Sequence, residues 1–96
     1  MFNVNRCTLL GRVSSDTVSY DAKNKRAVFI LETKKAKENH QGEDVESHMI
    51  LCHGPLSGFA RDRVKKDAPL YLEGHLSTLK TGETVIIADR FVLLSK

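Results

Sequence analysis

The feature that most restricts this chain is an alternating run near its start, Asn5-Arg6-Cys7-Thr8-Leu9-Leu10-Gly11-Arg12-Val13. Successive side chains of an extended strand point to opposite faces, so a first strand from Val4 to Val13 sets Cys7, Leu9 and Val13 on one side. Arg6, Thr8, Leu10 and Arg12 fall on the other. One face then suits a core and the second, carrying two arginines, suits water or phosphate. Gly11 marks a bend or bulge.

The following segments repeat this logic. Ser14-Ser15-Asp16 breaks the pattern, Val18-Ser19-Tyr20 briefly resumes it, and Asp21 to Lys25 has turn composition. A second strand, Arg26 to Lys34, is apolar on both faces through Ala27, Val28, Phe29, Ile30 and Leu31, as a central barrel strand is. Lys35 to Val45 is polar, with Asn39-His40-Gln41-Gly42 at its middle, and reads as a long hairpin tip. A third strand, Glu46 to His53, places Met49 and Leu51 opposite His48, Ile50 and Cys52.

Gly54-Pro55 ends that strand, and proline suits the first turn of a helix because its missing N–H has no helical partner there. Leu56, Phe59, Ala60 and Val64 recur at helical spacing, predicting a helix over Pro55 to Lys65 with Arg61, Asp62, Lys65 and Lys66 in water. Asp67-Ala68-Pro69 stops it. A fourth strand spans Leu70 to Leu76, Lys80-Thr81-Gly82-Glu83 makes a short hairpin connection, and a fifth strand spans Thr84 to Leu94 with an irregularity near Asp89. Three strands, a helix and two strands describe an all-β OB-fold, a five-stranded Greek-key barrel with its helix between the third and fourth strands.

At 96 residues the chain is expected to form one domain over residues 1–96. Hydrophobic residues at 41% and charged ones at 28% argue against disorder, and no apolar run approaches the roughly 18 residues of a membrane span. A net charge of +3 fits a polyanion partner but also many ordinary domains. Its distribution says more: Lys23, Lys25, Arg26, Lys34, Lys35 and Lys37 crowd together, with Glu38, Glu43, Asp44 and Glu46 directly after. Such a hairpin is either a solvated charged loop or a phosphate contact.

Cys7 and Cys52 lack CxxC spacing and lie in apolar strands, which reads as free thiols in a reducing compartment. The first six residues contain no signal-peptide core, so the expected location is intracellular. Asp16, Asp21, Glu32, Glu73 and Asp89 are scattered and no nucleophile or phosphate-loop motif accompanies them, so no enzyme is read here. Adjacent Cys52 and His53 point to opposite faces of a strand, which argues against a metal site with Cys7 and His48; no cofactor is expected.

At Asn5 to Val13, and again at Phe29-Ile30-Leu31-Glu32-Thr33, the sequence resembles the single-stranded DNA-binding proteins of bacteria and mitochondria. The likeness continues through His48-Met49-Ile50-Leu51, Val64-Lys65-Lys66, Leu70 to Leu76 and Ile86-Ile87-Ala88-Asp89. It implies sequence-independent binding of single-stranded DNA in replication, recombination or repair, by a homotetramer or a dimer, in the bacterial cytoplasm or nucleoid or in the mitochondrial matrix. It carries an oligomer-interface role to His48, with Asn5 beside it, and a packing role near the barrel surface to Tyr71. Where the family stacks bases on aromatic rings, this chain has Lys37, Ser47 and His53, with Thr81 near the last, and it has no Trp.

Phosphate contacts are therefore assigned to Arg6, Arg12, Lys34, Lys35, Lys37 and Lys80, with Lys23 and Arg26 at the margin, and base contacts to Tyr20, Phe29 and His53. Phe29, between Ile and Leu neighbours, also reads as core. The last hairpin is shorter than the family's DNA-gripping one, implying a smaller footprint. The chain ends at Leu93-Leu94-Ser95-Lys96 without the acidic tail of bacterial members, which leaves a mitochondrial or mobile-element type, a truncated chain, or a sister family. That sister, primosomal replication protein N, is a dimeric OB-fold that binds single strands and bridges restart proteins. A barrel that serves only as an oligomeric adaptor, without DNA binding, is the rival of a different class.

Overall fold

The computed structural model describes residues 3–14, 18–36 and 43–94. The strands are β1 (Cys7–Val13), β2 (Ser19–Asp21), β3 (Arg26–Ala36), β4 (Glu43–His53), β5 (Pro69–Thr78) and β6 (Thr84–Leu93), with one helix, α1 (Pro55–Arg63). They form a sheet in the order β1-β5-β6-β4-β3-β2, which closes on itself because β1 also pairs with β3 at Arg12↔Glu32 and Val13↔Leu31. Five strands make the barrel, and β2 is an added edge on β3. All neighbouring pairs are antiparallel except β4 and β6, which run parallel through Ile50↔Ile86 and Leu51↔Ile87. This is the expected OB-fold, with the helix between its third and fourth barrel strands.

The alternation of β1 is realised as read: Cys7, Leu9 and Val13 turn inward and Thr8, Leu10 and Arg12 outward. Inside, Val13, Phe29, Leu31, Ile50, Cys52, Leu70, Leu72 and Phe91 share one core, and Phe29 meets Phe91 edge-on at 6.2 Å between ring centres. Both cysteines are free; Cys52 is fully buried and Cys7 half-buried. Burial pushes the Cys52 thiol up to about 12, because a thiolate there loses its hydration.

Gly11 keeps regular register with Leu70, and it is required for another reason. Its Cα faces the Glu32 carbonyl where β1 swings from β5 to β3, leaving no room for a side chain. The irregularity expected near Asp89 is real: Glu73 pairs with Arg90 and Gly74 with Ala88, so Asp89 is the extra residue of a β-bulge. Gly74 sits at that bulge against the Ile87 carbonyl.

The β3–β4 hairpin is longer than the polar composition of its tip suggested. Pairing continues from Arg26↔His53 out to Ala36↔Glu43, because the polar side chains there line up across the strands, Lys35 opposite Asp44 and Thr33 opposite Glu46. The middle of the predicted tip, including Lys37, lies outside the described residues.

Gly54 takes a left-handed φ of 61° to start α1, with Pro55 in its first turn. The helix ends at Arg63 rather than Lys65, since Val64 is already extended. Its buried positions are Ser57 and Ala60, followed by Val64, and the Ser57 hydroxyl donates to the Gly54 carbonyl at 2.5 Å. Phe59, expected inward, is 43% exposed and leans on the rim of the core through Phe91. The loop after the helix is pinned to the end of β1: Asp67 N–H donates to the Val13 carbonyl at 2.7 Å and Val13 N–H to the Ala68 carbonyl at 3.0 Å.

Candidate nucleic-acid interface

Along β3 the inward residues Ala27, Phe29 and Leu31 are buried, so the outward series is Arg26, Val28, Ile30, Glu32 and Lys34. Their partners across β4 are, in register, His53, Leu51, Met49, Ser47 and Val45. The two rows form an exposed ladder with cationic ends and an apolar middle. At about 3.3 Å per residue, the eight steps from Arg26 to Lys34 span roughly 26 Å.

Two grooves lie on this ladder. The first is lined by Ser19, Asp21, Arg26, Val28, Met49, Leu51, Leu79 and Val85, and has an apolar floor beneath one arginine. The second, at the seam where β1 meets β3, is lined by Leu10, Gly11, Arg12, Glu32, Thr33 and Lys34. Because β3 contributes outward residues to both, they are neighbouring parts of one surface. The β5–β6 turn stands beside the first: Leu79 N–H donates to the Glu83 carbonyl and Gly82 takes φ 94°, which leaves Lys80 and Thr81 exposed at its tip.

The residues assigned from sequence separate into groups. Arg12 and Lys34 come together in one groove, and His53 lies exposed opposite Arg26. Lys35 points to the other side of β3 and is held by Glu46 at 3.0 Å, so it does not join the ladder. Arg6 shares the outer face of β1 with Arg12 but lies at its far end, in a groove with Glu73, Asp89 and Arg90. That groove sets two carboxylates against two arginines, with Glu73 paired to Arg90 at 3.5 Å, so it has no excess of positive charge, whereas the seam groove has two cations to one acid. There Tyr71 donates its hydroxyl to Glu73 at 2.7 Å, which holds the phenol proton above its usual range, and His75 lies 3.2 Å from Asp89.

The base-contact assignments also divide. Phe29 is fully buried and belongs to the core. Tyr20 is half-buried, and the Arg61 guanidinium lies 4.7 Å from its ring centre, so its face is covered. The Asn5 side chain is used within the chain: it donates to the Leu76 carbonyl at 2.8 Å and accepts from Leu76 N–H at 2.9 Å, prolonging the β1–β5 ladder. His48 is half-buried, with Nε2 at 2.9 Å from the Thr33 hydroxyl across the hairpin. Sequence reading missed Met49, Leu51 and Val28 as the floor of the first groove. The alternation of β4 marked two of them as one face, but nothing in the sequence said that this face stays open.

Asp21 closes the β2–β3 turn. Its carboxylate accepts from the Asn24 side chain at 2.7 Å and from the Lys23 and Asn24 backbone, and these bonds, that to the Asn24 side chain first, hold it below the usual carboxylate range.

A profile described as the single-strand binding protein family matches residues 4–90. The chain belongs to that family. The mitochondrial single-stranded DNA-binding protein of Oryctolagus cuniculus is 33% identical to it over 97% of this chain and 76% of the relative. Among solved structures, a small single-stranded DNA-binding protein from Mycoplasma pneumoniae superposes with TM-score 0.77 at 19% identity, covering 94% of this chain and 93% of that one. A Plasmodium falciparum SSB solved with single-stranded DNA superposes equally well, TM-score 0.77 at 21% identity, over 99% and 98% of the two chains. Among the described residues, the one ring on the ladder is that of His53.

Proposed function

We propose that this protein binds single-stranded DNA along the outer face of β3 and β4, holding it mainly by its sugar-phosphate chain. The observation that carries this reading is the shared ladder: both grooves are built on outward residues of β3, with cations at the two ends and apolar side chains between. Arg26, Arg12, Lys34 and Lys80 meet phosphates. Bases lie on Val28, Ile30, Met49 and Leu51, and His53 offers a flat face for one of them.

Aromatic stacking supplies about 1–3 kcal/mol per base in such barrels, and an aliphatic floor lacks that contribution. Charge then carries more of the affinity, and contact with phosphate alone is indifferent to sequence. The protein coats exposed strands in replication, recombination or repair and does no chemistry on them.

Assembly into a homo-oligomer, a tetramer first and a dimer as the alternative, is supported by apolar side chains left open away from the two grooves, with Leu76 at 50% and Val92 at 40% exposure. Titration of fluorescent oligothymidine at low and high salt, beside a solution mass measurement, tests both statements. Binding that is tight at low salt and collapses at high salt, by a multimer, is expected. No binding at low salt overturns the DNA reading, and a monomer overturns the assembly.

A further inference from the structure

One acid interrupts the cationic end of the ladder. Glu32 sits directly across from Arg12 in the β1–β3 register and two residues from Lys34 on the same face, and all three line the seam groove. Yet among the described residues the Glu32 side chain forms no hydrogen bond or ion pair. Arg12 and Lys34 likewise have no partner there. A carboxylate on a phosphate track repels the ligand unless it receives donors from it. Phosphates offer none at neutral pH, whereas base edges do.

We propose that Glu32 is a base-selecting residue that takes the Watson–Crick edge of a guanine in the seam groove, while Arg12 and Lys34 hold the flanking phosphates. The inference rests on the DNA reading above. An ionised carboxylate is acceptor-only and accepts best from two adjacent donors. Guanine presents such a pair, the ring N1–H and the exocyclic amine. Cytosine and adenine each present an amine beside a ring acceptor, which faces the second carboxylate oxygen unfavourably. Thymine presents one N–H between two carbonyls and is the poorest match. Unpaired bases expose this edge, which a duplex hides.

The geometry around Glu32 suits a base. Gly11 adds no side chain to the floor, the exposed Leu10 gives an apolar wall, and Ser47, the exposed register partner of Glu32 on β4, shares its face of the sheet. The result is a barrel that grips any single strand and prefers one with a guanine in this place.

The test compares the unaltered protein on fluorescent strands of about 12 nucleotides, within the usual 4–16 per barrel: all-thymidine, thymidine with isolated guanines, and the same with inosine. Isolated guanines avoid strands that fold on themselves. The guanine strand is expected to bind about five- to tenfold more tightly than all-thymidine, the lower part of the range for a bidentate base contact because the groove is open. Inosine, which keeps N1–H and lacks the amine, falls between. Glu32→Gln, nearly the same size, is expected to bind the three alike while keeping its affinity for all-thymidine or improving it. Equal binding of the three strands by the unaltered protein overturns the inference and leaves the DNA reading standing, as does a preference that survives Glu32→Gln. Absence of binding to any strand overturns the DNA reading and this inference with it.

Discussion

Replacing Arg12 and Lys34 together by Gln isolates the electrostatic part of binding at one end of the ladder. Among the described residues, Arg12, Lys34 and Arg26 line its grooves and Lys80 is exposed on the β5–β6 turn beside them, four cations in all. Each phosphate neutralised on a single strand contributes about 0.7 to the slope of log affinity against log salt, so four contacts give a slope of about −2.8. Between about 50 and 200 mM salt the affinity then falls roughly 50-fold. The double variant keeps two contacts, so its slope flattens to about −1.4 and the same change in salt weakens it only about sevenfold. The assay is anisotropy of labelled oligothymidine at several salt concentrations, with the urea midpoint measured in parallel to show that the barrel is intact. Lys35→Gln is the internal control. Because that lysine faces away from the ladder and is held by Glu46 at 3.0 Å, its loss is expected to leave the slope where it was. A double variant that keeps a slope near that of the unaltered protein, or a Lys35 variant that flattens it equally, would refute the placement of the strand on the outer face of β3.

Two predictions concern the barrel itself. Gly11→Ala pushes a methyl into the Glu32 carbonyl at the seam, and forced overpacking of this kind is expected to destabilise the fold by about 1–3 kcal/mol, read as a lower urea midpoint. An unchanged midpoint refutes the close approach. Cys52 gives a pH signature: the thiol is held protonated up to about 12 when folded but ionises near 8.5 in an unfolded chain. Between those values the unfolded state binds fewer protons, so stability declines as pH rises above about 9, by up to about 1.4 kcal/mol per unit. Cys52→Ala lowers overall stability but removes that component, and an identical alkaline slope in this variant contradicts it.

The chain's sequence determined those parts of the molecule that depend on local chemistry. Period-two alternation set which side of β1 and β4 faces the core, Gly54-Pro55 started the helix, and the break in alternation located the bulge at Asp89. These need only neighbouring residues, because the direction of a strand side chain and the φ of a turn are decided within a few positions.

Tertiary structure alone decided which cations act together. Arg6 and Arg12 share a face, but the bulge hairpin brings acids to the first while barrel closure brings Lys34 to the second. Closure also turned the glycine expected as a bend into a point of backbone contact, and drew Glu32 beside Arg12 across a gap of twenty residues. Helix docking covered Tyr20 with Arg61 and left Phe59 at the rim. Such outcomes depend on strand register and on which outer face remains uncovered, and alternation within one strand carries no information about the strand that will lie next to it.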